Sequence, residues 1–210
     1  MTAIFSTAYL APVEYYAMML RYRKVQLEQY DSYQKQTYRN RCVILGANGP
    51  LSLTIPIVKQ SGLKTLVKDV QIDYATPWQK NHWRSIISSY NSSPFFEFYK
   101  TELVPFYENK WKFLMDYNIE LHHLIASWLE FDVEIERTGS FQVHLEGDDL
   151  RAAITPKNHK IVEVDAKFVP FNYTQTYFEK FDFIPNLSII DLLFNSGPES
   201  ELILQRSVIS

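Results

Sequence analysis

The stretch RCVILGANGPLSLTIPI, residues 41–57, contains the clearest local signal for the fold. Two β-prone apolar runs lie on either side of Asn48-Gly49. Both residues of an Asn-Gly pair tolerate the positive φ of a type I′ turn, and such a pair between two apolar runs is typical of a hairpin. The sequence therefore predicts a β-hairpin that turns at Asn48-Gly49.

The residues before the hairpin alternate between strand-like and helix-like patterns. The segment 4–7 is short and β-prone, and Pro12 follows a few residues later. We therefore expect a strand over 4–7, a helix over 13–23 and a second strand over 24–28.

Helix signals dominate the sequence after the hairpin. Thr76, Pro77 and Gln79 match the N-cap, first and third positions of a capping box, which predicts a helix that runs to Tyr90. Residues 131–175 contain no motif that indicates a role. The other expected elements are a strand over 67–72, short helical turns over 95–106 that break at Pro105, a helix from Asn118 to Trp128 with Leu121, Ile125 and Leu129 in the core, a strand over 133–136, a helix that starts at Ser188, and a strand over 202–204.

Length and composition are those of an ordinary globular protein. The chain has 210 residues, of which 46% are hydrophobic and 21% are charged, enough to bury one sizeable core. We expect an α/β or α+β fold in which residues 1–210 form a single domain, with several helices packed on a mixed sheet that includes the hairpin. The aromatic residues, 15% of the chain, are assigned to core packing.

Charge and cysteine content narrow the class of protein. A net charge of −3 and a pI near 6.0 do not supply the positive field that nucleic-acid binding requires. Neither a signal sequence nor a transmembrane segment is recognisable. The one cysteine, Cys42, lies in an apolar run, which fits a core position in a reducing compartment. We predict a cytoplasmic protein with no nucleic-acid partner, and the oligomeric state stays open.

Arg39 and Arg41 form the first candidate binding feature. If the segment is extended, the two guanidinium groups project from one face while Asn40 points from the other. Planar guanidinium groups bind carboxylate or phosphate through paired hydrogen bonds. The alternative is a solvated strand edge, or an ion pair with Asp31 or Glu28.

The helix expected after Thr76 carries the second candidate feature. Trp78 and His82 are four residues apart and share a face, and Asn81 and Arg84 are neighbours at three-residue spacing. An imidazole that titrates near neutrality is a natural general base for an amine or a hydroxyl. The alternative is that His82 packs into the core with a hydrogen bond to a carbonyl group.

Asp191 and the pair His122-His123 support fewer conclusions. Asp191 falls at the third position of its helix, where a carboxylate caps free amides; alternatively, it orients His82. Adjacent histidines on a helix point about 100° apart, and no carboxylate at a suitable spacing completes a metal site.

The six glycines form no GxGxxG, GxxxxGK[ST] or GxSxG motif. We therefore expect no metal, and no cofactor is indicated.

A set of sequence blocks is spread over nearly the whole chain. The blocks are Tyr9-Leu10-Ala11-Pro12, Tyr33 to Arg41 with Lys35 inside, the apolar hairpin that ends in Ile55-Pro56-Ile57, Trp78 with His82-Trp83-Arg84, and Asn186 to Phe194. Together they resemble the WbqC-like protein family. The resemblance implies an association with O-antigen and other polysaccharide gene clusters, and transfer of an aminoacyl group (glycine) or an acyl group to a nucleotide-linked amino sugar. Many members have Gln-Pro before the first tyrosine, where this chain has Thr7-Ala8, so a role for that glutamine does not carry over.

Two main hypotheses for function follow. In the first, the protein is a transferase in which Arg39, Arg41 and Arg84 hold the diphosphate or acyl-donor carboxylate and His82 takes the proton from the amine. In the second, it is a non-catalytic protein of envelope-sugar biosynthesis that binds an anionic ligand or a partner. A third reading assigns the aromatic residues to a homo-oligomer interface.

Both main hypotheses predict that five residues line one cavity: Lys35, Arg39, Arg41, His82 and Arg84. The candidates for catalysis are His82 and Asp191, and those for substrate binding are Tyr9, Lys35, Arg39, Asn40, Arg41, Asn81 and Arg84.

Overall fold

Short strands and amphipathic helices alternate along the chain in the computed structural model, which describes residues 1–58, 64–141, 147–156 and 168–208. The strands are β1 (Thr2–Ser6), β2 (Lys24–Glu28), β3 (Arg41–Gly46), β4 (Gly49–Thr54), β5 (Glu134–Arg137) and β6 (Asp148–Asp149). The helices are α1 (Val13–Met19), α2 (Trp78–Tyr90), α3 (Phe96–Glu108), α4 (Leu114–Trp128), α5 (Phe178–Phe181), α6 (Ile189–Ser196) and α7 (Ser200–Arg206).

Four strands form a parallel sheet in the order β5-β2-β1-β6. Ala3, Ile4 and Phe5 of β1 are all buried, and such a continuous apolar run is typical of a parallel strand covered on both faces. Ile4 pairs with Gln26 on one side and with Asp149 on the other. The chain moves from β1 to β2 and β5 in one direction and then places β6 on the opposite side of β1, so the strand order reverses between β1 and β6.

The hairpin lies where the sequence predicts it, but its turn differs. β3 and β4 pair antiparallel, and Gly46 opposite Gly49 closes the ladder, so Ala47 and Asn48 are the central turn residues. Among the residues of this turn, only Gly49 has a positive φ, of 107°. The predicted type I′ turn at Asn48-Gly49 is therefore wrong, because a type I′ turn at the observed centre would force Ala47 into a strained positive φ. Glycine supplies that conformation one residue later.

The predicted α/β or α+β class is confirmed, since helices pack around a parallel sheet and an antiparallel hairpin. The hairpin forms its own two-stranded sheet instead of joining the larger one. That residues 1–210 form a single domain stays a prediction. Aromatic side chains fill the core as expected; the largest that are fully buried are Tyr9, Tyr16, Tyr90, Tyr117, Phe5, Phe96 and Phe194.

Helix starts differ from prediction where tertiary contacts compete for the capping side chain. α2 begins at Trp78 with Pro77 as its N-cap and no side-chain cap. Gln79 donates instead to the carbonyl oxygens of Phe106 and Asn109, at 3.0 and 2.7 Å. Asn118 lies inside α4, where its Nδ2 donates to the Arg39 carbonyl at 2.8 Å. The capping roles predicted for Thr76, Gln79 and Asn118 are therefore wrong.

Several element types also differ from prediction. Residues 67–69 form a 3₁₀ turn rather than part of a strand, and α1 ends at Met19, four residues before the predicted end at 23. Pro105 lies within α3 and does not break it, because Leu103 and Tyr107 on either side of it are buried in the core. The segment predicted as a strand over 202–204 is in α7, since short apolar runs fit both periodicities. The core positions of Leu121, Ile125 and Leu129 are confirmed.

Replacing Gly197 with alanine is expected to lower the free energy of unfolding by about 3 kcal/mol. Gly197 follows α6 with a φ of 52°, and an added Cβ would lie 2.5 to 2.6 Å from ring carbons of Phe95. Urea unfolding measures the loss. Gly139→Ala is the matched control, because an added Cβ there meets no described atom within 4 Å. Equal stability of the two variants would contradict the steric argument.

Candidate functional site

A cavity of about 920 Å³ lies beside the start of β3. Three cationic side chains, Lys35, Arg41 and Lys64, line it, and of its lining residues that the structure describes only Asp73 is acidic. Asn40, Thr54 and the 55–58 segment complete much of the wall. We refer to it as the basic cavity. Its lining favours an anionic ligand over a neutral or cationic one.

Two buried polar atoms at the basic cavity have no hydrogen-bond partner among the described residues. They are Oδ1 of Asn40 and Nε of Arg41. The Nδ2 atom of Asn40 donates to the Ile55 carbonyl at 2.8 Å, which fixes the amide plane. Buried polar groups are normally paired, so two unpaired atoms in residues of one cavity wall are unusual.

A second cavity, of about 200 Å³, lies outside the carboxyl ends of β1 and β6. Ser6 ends β1 and Thr7 follows it, Arg151 follows β6, and Arg39 closes the space from the 34–39 segment. We refer to it as the sheet-edge cavity. Arg39 is buried, and its Nη2 donates to Ser6 Oγ at 2.7 Å and to Asp31 Oδ2 at 3.2 Å. The ion pair with Asp31, considered as an alternative from the sequence, is therefore present.

Arg39 and Arg41 do not share a face. Residues 38–40 form a turn rather than an extended strand, so Arg39 lines the sheet-edge cavity while Arg41 lines the basic cavity. The extended arrangement predicted from the sequence is wrong, because β3 begins only at Arg41. Lys35, Asn40 and Arg41 are brought together, and Arg39 is separated from them.

His82 is buried on α2 and lines neither of these two cavities. Its Nδ1 lies 3.0 Å from the hydroxyl of Tyr9, whose ring is fully buried and stacks on the imidazole. Burial lowers the pKa of His82 to about 4, and a hydrogen bond with the backbone of Thr54 acts in the opposite direction. The imidazole is therefore neutral at pH 7 and lies behind the Thr54 wall of the basic cavity.

The other predicted residues of α2 face elsewhere. Asn81 and Arg84 are both exposed, and neither lines the basic cavity or the sheet-edge cavity. The structure therefore does not gather Lys35, Arg39, Arg41, His82 and Arg84 around one cavity. Tyr9 connects His82 to the core through Tyr107, 2.9 Å from its hydroxyl.

Asp191 is fully buried and accepts three hydrogen bonds. The donors are Tyr90 at 2.8 Å, Tyr173 at 2.7 Å and Gln175 at 3.0 Å. Burial raises the pKa of Asp191 to about 6, and these hydrogen bonds act in the opposite direction. Its partners differ from those of His82, so the predicted orienting role is not supported. Its side chain also makes no cap of α6.

Comparison with known proteins places the chain in a family. The sequence profile described as the WbqC-like protein family matches residues 7–160 and 145–203. The chain belongs to the WbqC-like protein family. Within the curated proteins, it is similar to the uncharacterized protein Rv1507c of Mycobacterium tuberculosis, with 23% identity over 189 residues that cover 80% of this chain and 81% of that protein. No solved structure matches the chain significantly.

Sequence reasoning missed several residues of the two cavities of this WbqC-like chain. Lys64 and Asp73 join the basic cavity, and Ser6, Thr7 and Arg151 join the sheet-edge cavity. None belongs to a local motif, and Arg151 falls in the 131–175 segment that the sequence left without a role. The one available signal is position: residues that follow parallel strands lie at the ligand-binding edge of such sheets.

In the described parts of this WbqC-like chain, no group of three or more His, Cys, Asp or Glu side chains is placed to hold a metal ion. Every helix in the same residues is too short or too polar to cross a bilayer. Cys42 is buried in the core as predicted, and burial raises the pKa of its thiol.

Proposed function

We propose that the protein is a transferase of polysaccharide biosynthesis that binds a nucleotide-linked amino sugar in the basic cavity and adds an acyl or aminoacyl group to the sugar amine. The observation that supports this most is the convergence of Lys35, Arg41 and Lys64 on one cavity. Family membership supports the biosynthetic context, because the resemblance associates WbqC-like proteins with O-antigen and polysaccharide gene clusters.

The chemistry of the basic cavity suits a sugar diphosphate. A diphosphate presents several acceptor oxygens, and the planar group of Arg41 can hold two of them while the lysines act as point charges. The volume of about 920 Å³ falls in the range of about 300–1,000 Å³ that is usual for small-molecule sites. Asp73, at the same cavity, gives the amino group of the sugar a carboxylate partner.

Asp73 is our candidate for the base, in place of the buried His82. Its Oδ1 accepts the Ala75 N–H at 2.8 Å, which fixes the carboxylate. In the proposed step the amine nitrogen attacks the carbonyl carbon of an activated ester or thioester donor and a C–N bond forms. The bond from that carbon to the donor oxygen or sulfur breaks. Asp73 accepts the proton released by nitrogen and then donates it to the leaving alkoxide or thiolate, which returns Asp73 to the carboxylate form.

Replacing Arg41 with alanine is expected to weaken the binding of uridine diphosphate at least tenfold. A hydrogen bond to a charged group contributes about 1.5–3 kcal/mol, and about 1.4 kcal/mol is a factor of ten in affinity. Isothermal titration calorimetry measures both affinities, with uridine as a probe that lacks phosphate. Arg84→Ala is the matched control, since it removes the same charge from an exposed position on α2.

Two results would contradict the proposed site. One is an equal loss of affinity in Arg41→Ala and Arg84→Ala, because only a general charge effect would then be present. The other is wild-type protein that binds uridine diphosphate no better than uridine. Either result removes the phosphate-binding role of the basic cavity.

A non-catalytic role in binding the same ligand is the second candidate function. The burial of His82 away from both cavities favours it, since the histidine predicted as a base does not face this ligand site. Incubation with a nucleotide-linked amino sugar and an acyl thioester, followed by mass spectrometry, separates the two functions. Acylated sugar supports the transferase, and unchanged sugar despite measured binding supports the binding protein.

A further inference from the structure

We propose that the sheet-edge cavity is a second binding site, which takes the carboxylate group of a small molecule. The cavity lies between Ser6 and Thr7, at the carboxyl end of β1, and Arg151, which follows β6. The strand order reverses between these two strands. In open sheets with parallel strands, ligands bind in the crevice outside the carboxyl ends at such a reversal. This inference does not depend on the proposed nucleotide-sugar site.

Two residues that line the cavity each carry a buried donor without a partner. Thr7 is 1% exposed and Arg39 is 4% exposed, and Oγ1 of Thr7 and Nε of Arg39 have no hydrogen-bond partner among the described residues. An unpaired buried polar group is costly, so a structure normally pairs it. A hydroxyl and a guanidinium N–H can both donate to one carboxylate. A bound carboxylate would therefore satisfy both groups.

The charged groups around the cavity favour a ligand with one negative charge over a ligand with two. Arg39 and Arg151 line the space, while their carboxylate partners do not. Arg39 pairs with Asp31, and Arg151 pairs with Glu28 and Asp149. These ion pairs hold both guanidinium groups in place before a ligand arrives, which limits the entropy lost on binding. Because three carboxylates surround two guanidinium groups, binding depends on directed hydrogen bonds rather than on a net positive field.

Size separates this site from the basic cavity. A volume of about 200 Å³ corresponds to about seven water molecules at about 30 Å³ each. It admits a carboxylate with a few further atoms but not a nucleotide. Acetate is therefore the probe for the site, and inorganic phosphate, which carries more charge at neutral pH, is the comparison.

Thr7→Val tests the proposal in the full chain. The two side chains have nearly the same shape, and the Thr7 hydroxyl has no described partner to lose, so urea unfolding should show no loss of stability. Acetate binding should weaken about tenfold, because one hydrogen bond to a charged acceptor is removed. The Nε–H resonance of Arg39 in a ¹H–¹⁵N NMR titration reports binding at the site itself, and Arg39→Lys identifies that resonance.

The controls distinguish this site from the basic cavity. Arg41→Ala should bind acetate like the wild type at the Arg39 resonance, whatever it does to uridine diphosphate. The proposal is overturned if acetate gives no saturable shift of that resonance, if Thr7→Val binds acetate with unchanged affinity, or if phosphate binds more tightly than acetate. None of these outcomes affects the uridine diphosphate titration, so the two proposals fail separately.

Discussion

Lowering the pH from 6.5 to 4 is expected to reduce the free energy of unfolding by about 3 kcal/mol through three buried groups. His82 and His122 fold in the neutral form, and burial lowers their pKa values to about 4 and about 3. His122 also has a geometric reason: its Nε2 accepts the Ala8 N–H at 3.4 Å, and its Nδ1 lies 2.8 Å from the hydroxyl of Tyr16. A proton on Nε2 would face another N–H donor.

The two histidines and Asp191 change the free energy of unfolding in opposite directions as the pH falls. Both histidines have folded pKa values below the usual 6.5, so the unfolded chain takes up protons first. Their stabilisation is present above pH 6.5 and is lost as the pH falls, by about 5 kcal/mol in total at pH 4. Asp191 has a raised pKa of about 6, so its contribution is present below about pH 4 and is lost as the pH rises through 6. Protonation of Asp191 therefore raises the free energy of unfolding by about 2 kcal/mol when the pH falls to 4.

Urea unfolding at pH 4, 5 and 6.5 measures this dependence. His122→Gln should show a shallower fall in stability with decreasing pH than the wild type, whatever its stability at pH 6.5. His123→Gln is the matched control, since His123 is the next residue on α4 and is exposed. The charge of His123 also lowers the pKa of His122, but less than burial does, so this variant should change the slope less than His122→Gln. Equal slopes in the two variants would show that the burial of His122 does not cause acid sensitivity.

Asp191→Ala is expected to lower the free energy of unfolding by about 3 kcal/mol at pH 7. The substitution removes the shared acceptor of three buried donors, Tyr90, Tyr173 and Gln175. The two tyrosine hydroxyls are left without an acceptor, at about 1–3 kcal/mol each, whereas Gln175 keeps its hydrogen bond to the Ile184 carbonyl at 2.9 Å. Loss of the buried negative charge offsets part of this cost. The Tyr90 hydroxyl also accepts the Leu45 N–H at 3.1 Å, so the loss extends from α6 to α2 and β3.

Asp191→Asn is the matched control for this prediction. It keeps the volume and one acceptor oxygen, so it should lose less stability than Asp191→Ala. It also removes the group that opposes acid destabilisation, and its stability should fall more steeply than that of the wild type between pH 6.5 and 4. Chemical denaturation across this range measures both effects. Equal losses in the two variants would exclude the three-donor explanation.

Local sequence patterns predicted those elements of the fold whose signal is local. The strand Lys24–Glu28 and the strands of the hairpin lie where their β-prone runs occur. β6 could not be predicted, because its two residues, Asp148 and Asp149, carry no apolar pattern and exist as a strand only through pairing with β1. The helix start predicted at Asn118 is wrong because its side chain also depends on a distant partner, the Arg39 carbonyl.

The candidate site was predictable in residue type but not in arrangement. Lys35, Asn40 and Arg41 do line one cavity, as their polar character in an otherwise apolar region indicated. One turn at 38–40 sends Arg39 to a different cavity, and a turn of that kind leaves no period in the sequence. The prediction that His82 shares a helix face with Trp78 is confirmed, since the two rings are in edge-on contact. That face points into the core.

The central position of β1 determines the order in which the sheet can be completed during synthesis. β2 begins about twenty residues after β1 and can pair with it early, whereas Asp148 and Asp149 leave the ribosome only after most of the chain has been made. One edge of the N-terminal strand therefore remains without its partner for much of translation. Contacts between residues so far apart in sequence form slowly, and an open strand edge is prone to pair with other chains. β1 therefore gains its second neighbour in the sheet only after β6 has been made.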